Sequence, residues 1–162
     1  MAAHKTRRLL SEGSRAPAFR LARVGGGEAS LEDVISRGRA LVALFKSACP
    51  ICQFTFPYLE RIHAAGTLPI YGVSQDDAED TREFSRRFGI TFPMLLDTEE
   101  PGYPASNAFG ISYVPTIFLI EPSGTIARVI EGWSKRDIEW LGSQAGVKPI
   151  REGEQVPESK AG

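Results

Sequence analysis

The two cysteines of this 162-residue chain, Cys49 and Cys52, stand three positions apart, just after an apolar run at residues 41–45. A continuous apolar run of this length is typical of a strand buried on both faces of a sheet. Pro50 follows the first cysteine and fits the first position of a helix, where its missing N–H costs no hydrogen bond. The sequence therefore predicts a buried strand that leads directly into a helix, with Cys49 at the start of that helix.

A cysteine at the start of a helix suits redox chemistry. Free backbone N–H groups and the positive end of the helix dipole stabilise a thiolate there. We therefore expect Cys49 to be the exposed, attacking sulfur. Cys52, one helical turn further on, is expected to be the buried, resolving thiol, and the spacing lets the two sulfurs close a disulfide.

The C-x-x-C spacing also occurs in zinc sites, which need four ligands. The chain has only two histidines, His4 and His63, and neither lies at a spacing from the cysteines that is typical of such sites. We therefore predict a redox dithiol with no metal and no other cofactor. A chance pair of buried cysteines is the remaining alternative.

Strand-like and helix-like segments alternate along the rest of the chain. The predicted order is β-α-β-α-β, then a short helix or loop, then β-β-α. This alternation predicts an α/β fold with a mainly parallel sheet and helices on both faces, to which a closing hairpin adds an antiparallel strand. The predicted strands cover residues 41–45, 70–73, 93–97, 116–120 and 126–130, and the predicted main helices begin near residues 50, 77 and 134.

The length fits one domain, and both ends of the chain differ in composition from its middle. Residues 1–15 are polar and basic, and we expect them to be flexible. Residues 148–162 contain Pro149, Pro157 and six charged residues, which predicts a disordered tail. The folded domain is then expected at residues 16–147.

The composition argues against several classes of function. With 19 Lys and Arg against 20 Asp and Glu, the net charge is −1, which speaks against a nucleic-acid-binding protein. The longest apolar run, residues 40–45, is far shorter than the roughly 20 residues that a membrane span needs. No signal peptide is recognisable, so we expect a cytoplasmic protein, or a periplasmic one if the chain is truncated.

Two stretches resemble the signatures of the thioredoxin superfamily. Residues 40–52 (ALVALFKSACPIC) are similar to its active-site strand and helix start, and Pro57 matches the proline inside its active-site helix. Residues 109–116 (FGISYVPT) resemble its second signature, which ends in a cis-proline. The two motifs have the order and separation of the family, and the resemblance extends over about residues 14–146.

Other features resemble one branch, which contains the alkyl hydroperoxide reductases, the thiol-specific antioxidant proteins and membrane-tethered thioredoxin-like proteins. Residues 14–21 (SRAPAFRL) are similar to the opening of that branch. The helix and strand expected at 77–97 resemble its insertion, which plain thioredoxin lacks. The resemblance implies a thioredoxin fold: a central mixed sheet flanked by helices, with this extra helix and strand.

The resemblance also implies roles for residues around the dithiol. Cys49 and Cys52 would be catalytic, and Pro115 would be the cis-proline packed beside them. Pro50 and Thr116, the neighbours of the first cysteine and of the cis-proline, would support the site. The side chains implied to form an apolar rim that contacts substrate include Ile51, Tyr113, Val114 and Trp133.

The sequence departs from the family at the acidic positions near the dithiol. Plain thioredoxins carry a buried aspartate six residues before the first cysteine, where this chain has Ala43. Some tethered members carry a glutamate three residues after the second cysteine, where this chain has Thr55. No matching carboxylate is left to take the proton from Cys52.

The resemblance implies a thiol-disulfide oxidoreductase. Its partners would be protein disulfides or dithiols together with a reductant or an oxidant. One alternative is a peroxiredoxin-like thiol peroxidase with antioxidant activity, which needs the frame P-x-x-x-T/S-x-x-C. Counted back from Cys49, that frame meets Lys46 and Val42, and it does not match. The other alternative is a non-catalytic binding module on the same fold.

Overall fold

The computed structural model describes residues 8–162. Its strands are β1 (Arg20–Arg23), β2 (Glu28–Ser30), β3 (Ala40–Phe45), β4 (Ile70–Ser74), β5 (Met94–Leu96), β6 (Thr116–Ile120), β7 (Ile126–Glu131), β8 (Trp133–Ser134) and β9 (Ser159–Lys160). Its helices are α1 (Leu31–Val34), α2 (Pro50–His63), α3 (Ala78–Phe88), α4 (Pro104–Phe109) and α5 (Lys135–Ala145).

Seven strands form one mixed sheet in the order β2-β1-β5-β4-β3-β6-β7. The neighbours β3, β4 and β5 run parallel, whereas β6 and β7 pair antiparallel on one side and β1 and β2 on the other. All six residues of β3 are buried. The predicted α/β class and the mixed sheet are confirmed, and the helix and strand expected as an insertion are present as α3 and β5. The prediction of a mainly parallel sheet is wrong, because only two of the six neighbouring strand pairs are parallel and the hairpin of β1 and β2 adds antiparallel pairs that were not predicted.

Helices cover both faces of this sheet. The ring of Phe45 on β3 packs against Phe56 of α2, with 4.4 Å between the ring centroids. Phe118 of β6 pairs with Val42, which points to the opposite face from Phe45 because side chains alternate along a strand. Phe109 of α4 packs against Phe118 at 4.5 Å. The dithiol helix α2 and the helix α4 therefore lie on opposite faces.

The start of the described chain is attached to the domain. Residues 1–7 of the predicted flexible N-terminus lie outside the described residues. After them, the N–H of Leu10 donates to Phe109 and the N–H of Gly13 donates to Ile126, at 3.1 and 2.8 Å. The flexible segment predicted for residues 1–15 therefore does not extend through residues 10–15.

The prediction that residues 148–162 form a disordered tail is also wrong. The segment folds back, and its strand β9 pairs antiparallel with β8. The indole N–H of Trp133 donates to the carbonyl of Pro157 at 2.6 Å, and Arg61 forms an ion pair with Glu154 at 2.5 Å. Composition alone suggested solvent exposure, but Glu154 and several backbone groups of this segment have partners elsewhere on the domain.

Within residues 8–162, none of the helices combines the length and the apolar character needed to cross a membrane.

Candidate active site

The dithiol lies where β3 leads into α2. Cys49 is the extended N-cap residue of the helix, and Pro50 occupies its first turn. The backbone N–H of Cys52 donates to Cys49 Sγ at 3.2 Å, so the sulfur itself caps the helix. Cys49 Sγ also lies 3.6 Å from the carbonyl oxygen of Val114, to which its thiol donates. Cys49 is half-buried and Cys52 is buried, which is the arrangement expected of an attacking and a resolving sulfur.

The environment of Cys52 strongly favours its protonated form. Burial raises the pKa of the Cys52 thiol, and a hydrogen bond with the Cys49 side chain raises it further. A backbone hydrogen bond from Lys46 acts in the opposite direction, and the negative charge of Asp76 adds to the increase of this pKa. Cys52 is therefore a thiol at neutral pH and has to lose its proton before it can attack a disulfide.

The two positions at which the resemblance implied an acid hold none in this chain. Ala43 lies fully buried in β3, and Thr55 lies fully buried in α2, one turn after Cys52. The Thr55 hydroxyl has no hydrogen-bond partner among the described residues. A buried hydroxyl without a partner is uncommon in folded proteins, and this one occupies the helix face that also carries the resolving cysteine.

Asp76, which was not predicted as a site residue, is a carboxylate whose charge acts on Cys52. One of its oxygens accepts a hydrogen bond of 2.6 Å from the backbone N–H of Ser47. Gln53 donates to the carbonyl of Ser47 at 2.9 Å, so both backbone groups of Ser47 are held. In the parallel register of β3 and β4, Phe45 pairs with Ser74, and Ser47 and Asp76 each follow two residues later. That shared offset is the signal that could have found Asp76.

The loop before β6 forms the opposite wall of the site. The Val114–Pro115 peptide bond is cis. The hydroxyl of Thr116 donates to the carbonyl of Tyr113 at 2.9 Å, and the N–H of Gly132 donates to the carbonyl of Pro115 at 2.8 Å. The loop thereby presents the Val114 carbonyl to the sulfur of the first cysteine.

The residues expected to form an apolar rim differ in how far they are exposed to solvent. Ile51 is half-buried at the start of α2, and Tyr113 is exposed. Trp133 is only 1% exposed: its ring packs against Phe54 at 4.7 Å and Tyr58 at 5.0 Å, beneath the folded-back tail. The expectation of Trp133 in an accessible rim is therefore not met while the tail is in place.

A polar cleft of about 210 Å3 adjoins the site. One of its walls is α4, whose start is fixed by the fully buried Asp97. This carboxylate accepts from the N–H of Ala105 and from the N–H and hydroxyl of Ser106, at 2.6 to 2.8 Å. The cleft is lined by Lys46, Gln75, Tyr103, Ser106, Asn107, Ile111, Ser112, Tyr113 and Val114.

Within residues 8–162, no group of three or more His, Cys, Asp or Glu side chains is arranged to hold a metal ion.

Comparison with known proteins agrees with this geometry. Residues 13–129 match the model of the AhpC/TSA family. The thiol-disulfide oxidoreductase ResA of Geobacillus thermodenitrificans is 30% identical over 132 residues, which cover 78% of this chain and 74% of that protein. A Mycobacterium tuberculosis protein named, provisionally, as a peroxiredoxin is 34% identical over 113 residues, or 65% of this chain and 69% of that protein.

A solved structure supports the same assignment. The thioredoxin domain of a thiol-disulfide oxidoreductase from Bacteroides vulgatus superimposes with a TM-score of 0.73 at 25% identity, covering 85% of this chain and 99% of that one. The chain therefore belongs to the AhpC/TSA family, and its enzyme class is that of the thioredoxin-like thiol-disulfide oxidoreductases.

Proposed function

We propose that Cys49 and Cys52 exchange disulfides with protein substrates in two steps. In the first step the Cys49 thiolate attacks a substrate disulfide, so that a mixed disulfide forms and one substrate thiolate leaves. In the second step Cys52 loses its proton and attacks Cys49 Sγ, which closes the Cys49–Cys52 disulfide and releases the second substrate thiol. Two electrons pass to the substrate, and a dithiol partner has to return them. The reverse sequence oxidises a substrate dithiol.

One observation carries this proposal: the half-buried Cys49 sulfur caps the helix at 3.2 Å from the N–H of the buried Cys52. A thiolate at this position would accept hydrogen bonds from backbone N–H groups and would be stabilised by the positive end of the helix dipole. Cys52 is buried and held as a thiol, so only the first sulfur is both reachable and suited to start the exchange. The order of attack follows from this asymmetry.

The supporting residues act on the geometry of the two sulfurs. Pro50 sets the backbone of the first turn without requiring a donor. Pro115 and Thr116 hold the loop that carries the Val114 carbonyl, 3.6 Å from Cys49 Sγ. Ile51 and Tyr113 lie at the edge of the site and are proposed to contact the substrate.

Asp76 is proposed as the residue that replaces the missing family carboxylate in tuning Cys52. Its position is fixed by the Ser47 N–H, and its charge disfavours a second negative charge on the dithiol. The expected result is a reduced form in which Cys52 stays protonated. Asp76 thus acts on Cys52 through its charge, whereas a buried acid in direct contact with the thiol could exchange a proton with it.

A thiol peroxidase is the second candidate, because a relative 34% identical to this chain is named as a peroxiredoxin. In that reaction the Cys49 thiolate would attack a peroxide, become a sulfenic acid and release water or an alcohol; Cys52 would then close the disulfide and release water. Lys46 and Val42 occupy the positions where the peroxidase frame requires a hydroxyl and a proline, which favours disulfide exchange.

Two assays on the same preparation decide between the candidates. Reduction of insulin disulfides with dithiothreitol as the reductant is expected for the wild-type protein and is lost in Cys49→Ser. With the same reductant, the wild-type protein is expected to consume hydrogen peroxide no faster than Cys49→Ser does. Fast peroxide consumption without insulin reduction would establish the peroxidase instead, and inactivity in both assays would support a binding module.

A further inference from the structure

The segment that follows α5 returns across the domain towards the dithiol. Glu154 is its main side-chain anchor: it pairs with Arg61 at 2.5 Å and accepts from the Tyr58 hydroxyl at 3.2 Å, both on α2. Further along, the carbonyl of Pro157 accepts from the indole N–H of Trp133 at 2.6 Å. Residues 157–162, here called the strap, then run alongside β8 as the strand β9.

The strap ends against the loop that faces the nucleophile. At Gly132, whose φ is +70°, a Cβ would overlap the carbonyl oxygen of Lys160. At Gly162 a Cβ would overlap the carbonyl oxygen of Val114, which is the same oxygen that lies 3.6 Å from Cys49 Sγ. Backbone of the strap thus lies directly against the wall of the active site, and the absence of side chains at the two glycines permits this approach.

We propose that the strap occupies the surface on which an extended segment of a protein substrate docks, and that the substrate has to displace it. This inference rests on the proposed function. The strap demonstrates the fit, since an extended peptide already lies there through backbone contacts. Such contacts do not depend on sequence, which suits an enzyme whose substrates share a disulfide rather than a motif.

We expect the strap to open and close. Besides its pairing with β8, it is held by a backbone hydrogen bond of 2.9 Å from the N–H of Lys135 to the carbonyl of Glu158, and by a long ion pair of 3.8 Å between the same two residues. Its strand pairing extends over only two residues on each side, and the side chains of Ser159 and Lys160 are exposed. Segments with few buried contacts open at low free-energy cost. When the strap opens, Trp133 loses the carbonyl partner of its indole and becomes part of the exposed surface. The apolar rim expected from the sequence would then form in the open state alone.

A protein substrate can dock only while the strap is open. Its apparent affinity is therefore the affinity for the open state multiplied by the fraction of molecules that are open. Glu154→Gln removes the charge of the anchor but keeps an acceptor oxygen. We expect it to raise the open fraction roughly threefold to tenfold, because the ion pair with Arg61 becomes a hydrogen bond to a neutral amide. Glu152→Gln is the matched control, since Glu152 is exposed and forms no ion pair within residues 8–162.

Fluorescence of Trp133 reports the opening without any catalysis. The chain has two tryptophans, so all variants are made in a Trp140→Phe background. Acrylamide quenching of Trp133 should increase in Glu154→Gln and stay unchanged in Glu152→Gln. In the insulin assay, kcat/KM should rise roughly threefold or more in Glu154→Gln, while reduction of bis(2-hydroxyethyl) disulfide should change less than twofold.

Competition between strap and substrate is tested by hydrogen exchange. In Cys52→Ser, a cysteine-containing peptide activated as its pyridyl disulfide is attached to Cys49, and 2-mercaptoethanol is attached in a parallel sample. Faster exchange at residues 157–162 with the peptide but not with the small thiol is expected. Equal exchange in the two samples, or unchanged quenching in Glu154→Gln, would overturn the inference. Absence of insulin reduction in every variant would refute the proposed function alone, because quenching and exchange do not require turnover.

Discussion

The carboxylate of Asp76 accepts a hydrogen bond of 2.6 Å from the backbone N–H of Ser47, two residues before the first cysteine of the dithiol. The two residues follow neighbouring parallel strands and are far apart along the chain. The contact fixes the loop that leads into α2 and places a negative charge near Cys52. This charge adds to the raised pKa of the Cys52 thiol, after burial, the hydrogen bond with Cys49 and the charge of Cys49.

Asp76→Asn should therefore make Cys52 more reactive. The amide oxygen still accepts from Ser47, but the negative charge that disfavours a second thiolate is gone. The pKa of Cys52 should fall, and its alkylation by iodoacetamide at pH 8 should become roughly threefold faster. The measurement uses a Cys49→Ser background. Glu79→Gln, an exposed acid on α3, is the control, and an equal increase in both variants would argue against a specific role of Asp76.

The two cysteines of the reduced protein should differ strongly in reactivity. Cys52 is fully buried, and burial raises the pKa of its thiol, so little thiolate is accessible at pH 7. We expect iodoacetamide to modify Cys49 at least about 100-fold faster than Cys52 in the native protein. Mass spectrometry of tryptic peptides measures both rates, and in denaturant they should become similar. Comparable rates in the native protein would contradict the assigned asymmetry.

Asp97→Ala should destabilise the fold, because it leaves two buried N–H groups and one hydroxyl without their acceptor. The expected loss is roughly 3 kcal/mol in the free energy of unfolding, measured by urea denaturation. The exposed neighbour Glu99 provides the control, and Glu99→Ala should cost less than about 0.5 kcal/mol. A loss as small as that in Asp97→Ala would show that α4 does not depend on this carboxylate.

The stabilisation from Glu154 should depend on pH in a defined direction. Arg61 and the backbone N–H of Arg151 lower the pKa of Glu154 to about 2 from its ordinary 4.5. Because the pKa in the folded state is the lower one, the contribution is fully present above pH 4.5 and is lost as the pH falls towards 2. The difference in urea midpoint between wild type and Glu154→Gln should be constant from pH 7 to 5 and should shrink below pH 4.5. A difference that grows on acidification would contradict the assignment.

The parts of the fold that follow local patterns could be predicted from the sequence. The buried strand β3, the proline after Cys49 and the helical spacing behind it place the dithiol correctly, because each signal lies within a few residues of the next. Asp76 was missed because its neighbour Ser47 is brought close only by the register of two parallel strands. That register is fixed by packing of the whole sheet, which no single segment encodes.

The tail was mispredicted for a related reason. Its prolines and charges are typical of disordered segments, but the partners that order it, Arg61 on α2 and Trp133 on β8, lie far away in the sequence. The prediction that Trp133 is accessible failed for the same reason. The indole would be free to contact a substrate if the tail were disordered, but the folded-back tail covers it. The surface around Trp133 therefore depends on contacts between residues far apart in the sequence, which local patterns do not predict.

The central claim is that Cys49 attacks and Cys52 resolves, and trapping of the mixed disulfide tests it most directly. Cys52→Ser and Cys49→Ser, each reduced beforehand, are mixed with a peptide that contains one intermolecular disulfide, and the adducts are located by mass spectrometry. The account predicts a stable peptide adduct on Cys49 in Cys52→Ser and little or no adduct in Cys49→Ser. An adduct that accumulates on Cys52 in Cys49→Ser, with none on Cys49 in Cys52→Ser, would contradict it.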